Sequence, residues 1–81
     1  MNIERLVTMA NDISHYFAAD SDHEAGAAGI AYHLKRFWEP GMRKQIVVYL
    51  AEGGERLEPL TKKGIEKLAE LDSNVAAANR E

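Results

Sequence analysis

Apolar residues recur near the start of the chain at intervals of three and four: Ile3, Leu6, Val7, Ala10, Ile13, Tyr16 and Phe17. That spacing covers one face of an α-helix, and the period-two alternation of a half-buried strand is absent, so a first helix is predicted from Ile3 to Ala18. Asn2 is placed to cap it, and Glu4 complements the positive end of its dipole. Ala19 to Asp22 reads as a short polar connection. Ser21-Asp22-His23-Glu24 then fits a capping box, in which serine and glutamate satisfy each other's free amide hydrogens. The second helix continues through Ala25 to Trp38, with Ala27, Ile30, Ala31, Leu34, Phe37 and Trp38 on one face. Its first half, Ala25-Gly26-Ala27-Ala28-Gly29, is almost bare of side chains. Each glycine there costs about 1 kcal/mol relative to alanine, so the smooth surface is read as letting another backbone come close.

Glu39-Pro40-Gly41 interrupts the pattern, because proline disfavours helical geometry in the residue before it and is welcome in a helix's first turn. A third helix is predicted from about Pro40 to Glu52. Within it Ile46-Val47-Val48-Tyr49-Leu50 is apolar on every side, so the helix either lies centrally or turns one face to a partner. Gly53-Gly54 supplies the left-handed geometry that ends helices. Glu58-Pro59 repeats the earlier break, and Leu57, Leu60, Ile65, Leu68 and Leu71 mark a fourth helix from about Pro59 to Leu71. The fold class is therefore all-α: a compact bundle of four short helices in one domain over residues 1–71. A flexible, disordered tail is expected over residues 72–81, where Val75 is the one large apolar side chain.

Composition narrows this further. The sequence has 81 residues, enough for one domain and too few for two. Of the 46% hydrophobic residues twelve are alanines, which favour helix and bring little side chain to a core. Small cores of this kind usually lean on disulfides, a metal or a partner, and the absence of cysteine leaves no disulfide and no thiolate metal site. A partner is the support that remains. Net charge of -3 opposes attraction to nucleic acid or anionic lipid. The N-terminal stretch mixes Glu4, Arg5 and Asp12 among its apolar residues, unlike a signal or transit peptide, and no apolar run spans a bilayer. The expectation is a cytoplasmic protein, with neither membrane nor nucleic acid among its partners.

Candidate chemistry is sparse. His15, His23 and His33 share no spacing that aims two of them at one ion, so no metal site is expected. Ser14 and His15 are adjacent and point about 100° apart on a helix, which does not make a nucleophile and its base. Asp20 and Asp22 lie in a polar loop where water keeps both ionised. The segment from Ala25 to Gly29 lacks the Gly-Lys-Ser/Thr ending of a phosphate loop and has no preceding strand. No catalytic residue, cofactor-binding residue or cofactor is therefore expected.

Charge is distributed unevenly. Lys35, Arg36, Arg43 and Lys44 face only Glu39 within their ten-residue stretch, whereas Met1 to Glu24 holds five acids against Arg5. Opposed patches suit docking in one orientation, although cations near a helix C-terminus also simply complement its dipole. Inside the basic stretch, tryptophan, methionine and arginine gather at a helix break, and these types are enriched in interfaces. His33, Arg36, Trp38, Pro40, Met42 and Arg43 are accordingly the candidate partner-binding residues. Phe37 is assigned to the core, and Trp38 to the core or its edge.

Leu6-Val7-Thr8-Met9-Ala10-Asn11-Asp12-Ile13, followed by Tyr16-Phe17, resembles the opening of the delta subunit of NAD-dependent formate dehydrogenase. Ile30-Ala31-Tyr32-His33-Leu34-Lys35-Arg36-Phe37-Trp38-Glu39-Pro40-Gly41-Met42-Arg43 resembles that family's second hallmark, and Gly53-Gly54 and Leu57-Glu58-Pro59-Leu60 fit it in order and spacing. The resemblance implies a small accessory subunit of a soluble complex whose large subunits oxidise formate at a molybdenum or tungsten pterin centre and pass electrons through iron-sulfur clusters and flavin to NAD. It implies that this chain carries none of those cofactors and serves assembly, stabilisation or maturation of the cofactor site. The expected partners are the large subunits, with a homodimer when the chain is isolated. Gly41 after the proline and the polar tail depart from the family pattern. The alternative reading is a small helix-turn-helix DNA-binding regulator, suggested by the four cations around a glycine-containing turn.

Overall fold

The computed structural model describes the backbone of residues 2–79 and the side chains of residues 2–72. Asn2 is extended, and its side-chain oxygen accepts the Glu4 amide hydrogen at 2.7 Å, satisfying one of the free donors of α1, Ile3–Phe17. Leu6, Val7 and Ala10 of the predicted stripe are buried, with Ser14 beside them, whereas Tyr16 near its end is 77% exposed because it falls at the edge of the stripe where no other helix covers it. The second helix, α2, runs His23–Phe37, and its cap is Asp22 rather than Ser21. Asp22 Oδ1 accepts from the amides of Glu24 and Ala25, while the Asp20 carboxylate accepts the Asp22 amide at 2.9 Å. The two aspartates therefore turn the chain one residue later than a serine capping box would.

Trp38 follows α2 in extended geometry, Glu39 is extended as the residue before a proline prefers, and Pro40 opens α3, Pro40–Ala51. At the far end the Gly54 amide reaches back to the Tyr49 carbonyl and the Gly53 amide to that of Leu50, both at 3.0 Å. This paired closure needs a left-handed residue, and Gly53 (φ 125°) and Gly54 (φ 62°) supply it. Arg56 also has positive φ, 72°. The last helix, α4, is Pro59–Asn79. Its assignment extends past Leu71, where the apolar pattern ends. Apart from Asp72, the tail expected over 72–81 lies outside the residues whose side chains are described. Asp72, at the boundary, accepts from Lys35 Nζ at 2.8 Å.

The core lies between α1, α2 and α4, built from Leu6, Ala10, Ile30, Leu34, Ile65 and Leu68 with Trp38 and Ile46 closing one end. The α2–α4 contact is tight because of glycine: a β-carbon at position 64 would stand 2.5 Å from Ile30 Cγ2. Gly29 likewise leaves the space that the Phe17 ring fills, so the bare half of α2 receives close neighbours as its composition predicts. The third helix is peripheral. Ile46 is its one buried residue, and Val48 is 47% exposed, so of the two readings of this apolar segment the central one does not hold.

Phe37 corrects the sequence reading. It is 65% exposed, whereas its neighbour Trp38 is 5% exposed and packed in the core. The helix ends at Phe37, and the extended Trp38 backbone turns the indole inward. Among the described residues there is no strand.

Candidate functional site: an aromatic ridge

The helix phase that buries Ile30 and Leu34 leaves His33 and Phe37, one turn apart, together on the flank of α2. Phe17, seated in the space at Gly29, brings the end of α1 alongside them. The rings follow one another: Tyr16 to Phe17 at 5.1 Å edge-to-face, Phe17 to His33 at 6.3 Å, and His33 to Phe37 at 4.8 Å. Arg36 lays its guanidinium 5.6 Å from the Phe37 centroid. The outer members are open to solvent, Tyr16 at 77% and Phe37 at 65%. Edge-to-face pairs and a cation beside a ring hold such side chains in place while leaving their apolar area unsatisfied. Tyr32, 61% exposed, borders a separate groove of about 190 Å³ with Ala28, Lys67 and Leu71.

The six predicted residues divide. His33 and Arg36 belong to the ridge, and Pro40 is exposed at the helix break beyond it. Met42 is half-buried against the core, and Trp38 is inside it. Arg43 serves the corner itself: its guanidinium donates to the carbonyls of Trp38 at 2.9 Å and Lys35 at 3.2 Å, satisfying the open end of α2. Its Nε, buried and without a hydrogen bond, lies 3.5 Å from the Asp72 carboxylate that also holds Lys35. Lys35 and Arg43, two of the four basic residues behind the helix-turn-helix reading, are both paired with Asp72.

Sequence reasoning missed Phe37 as a surface residue and overlooked Asn11. The Asn11 amide donates to the Arg56 carbonyl at 2.9 Å and accepts from the Glu58 amide and the buried Thr61 hydroxyl at 3.1 and 2.8 Å. It thereby holds the left-handed Arg56 loop to α1. Two further polar pairs lie on the surface. His15 Nε2 meets Glu58 at 2.7 Å, and Lys67 meets Glu24 at 3.0 Å. The hydrogen bond and charge of Lys67 hold the Glu24 carboxyl below its ordinary value, and Glu24 raises Lys67 in return. Among the described residues no group of three His, Asp or Glu side chains is arranged to hold a metal ion, and no helix is long and apolar enough to cross a membrane.

Aromatic rings with an arginine among them are the side chains enriched at protein interfaces. The fold and this surface define a small helical protein whose distinctive feature is an exposed ridge rather than a cleft of converging polar groups. The chain belongs to the family described as NADH-dependant formate dehydrogenase delta subunit FdsD, which matches residues 5–65. That span contains nearly all of α1, the whole of α2, α3 and the ridge, and the opening of α4. No curated protein and no solved structure matches the chain.

Proposed function

We propose that this chain is a non-catalytic accessory subunit of a cytoplasmic, NAD-dependent formate dehydrogenase complex, supporting its assembly, stability or cofactor-site maturation through protein-protein contacts. The observation that carries the reading is the exposed Phe37 ring with Arg36 beside it, inside the family-matched span. Large apolar side chains left in water favour association, because covering them recovers the hydrophobic free energy that folding did not collect. The partners are the large subunits of the complex. His33, Arg36 and Phe37 make the contact with Pro40 at its edge, while Trp38, Met42 and Arg43 hold the corner in shape from within.

Co-expression with the large subunits tests this. Phe37→Ala removes a ring that stands mostly in water, so the isolated variant keeps its far-ultraviolet circular dichroism. A central aromatic anchor is worth about 2 kcal/mol, or roughly thirtyfold in Kd, so the variant is expected to co-purify far less and to lower the yield of active dehydrogenase. Undiminished co-purification of Phe37→Ala and of Arg36→Ala would remove the ridge from the interface.

A further inference from the structure

A second surface, away from the ridge, lies on the outside of α3. Lys44 and Val48 stand there between two grooves, and both residues line both. The larger, about 540 Å³, is bordered also by Ile3, Gly41, Tyr49 and Glu52; the smaller, about 420 Å³, by Pro40, Val47 and Ala69. A ridge of side chains with a groove on each side is the shape that packs against another helix. The charges on this face are arranged symmetrically. Lys44 lies one turn before the exposed Val48 and Glu52 one turn after it, and neither side chain has an ion pair or hydrogen bond among the described residues.

We infer that this face pairs with its own counterpart on a second copy of the chain, the two α3 helices running antiparallel about a two-fold axis at Val48. In such a pairing residue i meets residue j and j meets i, so the Lys44 of each copy meets the Glu52 of the other. Val48 lies against Val48 on the axis. Gly41 completes the fit: a side chain there would meet nothing within 4 Å of its own fold, and its absence leaves the groove open where the second copy's chain passes just beyond the end of its α3. The occupant is chosen by this self-complementarity of charge, which an unrelated helix would match only by coincidence. Twelve residues make a rod about 18 Å long, so the buried area falls below that of a standard interface and the dimer is a weak one.

This face meets the aromatic ridge only at Pro40, and Lys44, Val48 and Glu52, the residues tested here, are no part of the ridge, so failure here leaves the accessory-subunit reading standing, and the reverse. Sedimentation equilibrium of the full chain over a concentration series is the experiment, with circular dichroism of each variant as the check on folding. The wild type is expected to dimerise. K44E brings carboxylates face to face at both ends of the pairing, and E52K does the same with ammonium groups, so each is expected to weaken the dimer at least tenfold. The double variant K44E/E52K restores opposite charges across the axis and is expected to recover wild-type association. V48D, which places two carboxylates on the axis, is expected to be monomeric. A wild type that stays monomeric through millimolar concentration overturns the inference. So does a dimer indifferent to the single swaps, or a double variant that does not recover.

Discussion

Replacing Gly64 by alanine measures how closely α2 and α4 approach. The added β-carbon would lie 2.5 Å from Ile30 Cγ2 and 2.7 Å from Ile30 Cβ, against the 3.5–4.0 Å at which carbon atoms normally rest. Ile30 is fully buried, and a β-branched side chain in a helix has essentially one rotamer, so it cannot swing aside. Cβ cannot move without its backbone. The helices must separate by about 1 Å, and overpacking of this sort costs about 1–3 kcal/mol. Alanine returns about 0.4–1 kcal/mol by restricting the unfolded chain. The net loss is about 1–2 kcal/mol, which for a domain of this size lowers Tm by roughly 5–15 °C. Gly41→Ala is the control, because a β-carbon there meets open space. It keeps the gain without the clash and raises Tm by a few degrees, roughly 2–6 °C. Thermal unfolding of dilute protein, followed by far-ultraviolet circular dichroism, reads both. If Gly64→Ala stabilises as Gly41→Ala does, the two helices are not pressed together at Ile30 and the packing argument fails.

Asn11→Ala strands the buried Thr61 hydroxyl and the Glu58 amide, and is expected to cost about 2 kcal/mol in urea unfolding; Thr61→Val in the same background recovers part of it, and an unchanged midpoint would contradict the bridging role. Glu24 is expected to titrate by NMR below its ordinary 4.5, returning toward it in Lys67→Met. With Glu24 depressed and Lys67 raised above 10.5, the pair's contribution holds between their folded values, fading as pH falls through the first or rises through the second. A Glu24 that titrates identically in both proteins would show the pair to be open in solution.

The helices were legible because their causes are local. A stripe at three-and-four spacing, a cap residue, a proline or a glycine pair each act within a few positions, and Asn2, Pro40 and Gly53 stand where those rules place them. The Phe37 and Trp38 exchange was not legible. Positions three and four beyond Leu34 fall on the same helical face, and only the extended backbone at Trp38 decides which ring turns inward. Asn11 and Asp72 escaped for another reason: their partners lie in other helices and loops, and a polar side chain carries no periodic signal for a distant partner. Arg43 looked like a surface cation for the same cause, since nothing near it in sequence announces that the carbonyls of Lys35 and Trp38 lie within its reach. The ridge was half visible, through His33 and Arg36, while its protruding member was assigned to the interior.

The burial of Trp38 has a practical consequence. It is the one indole in the chain, 5% exposed and packed in the core cluster that also holds Leu34 and Ile46. Intrinsic emission excited at the indole band therefore gauges whether the interior is intact and is nearly silent to events on the outside. Melting can be followed without a label, whereas occupancy of either face must be read with a dye, or with a tryptophan introduced at Tyr32 or Gln45 for that purpose.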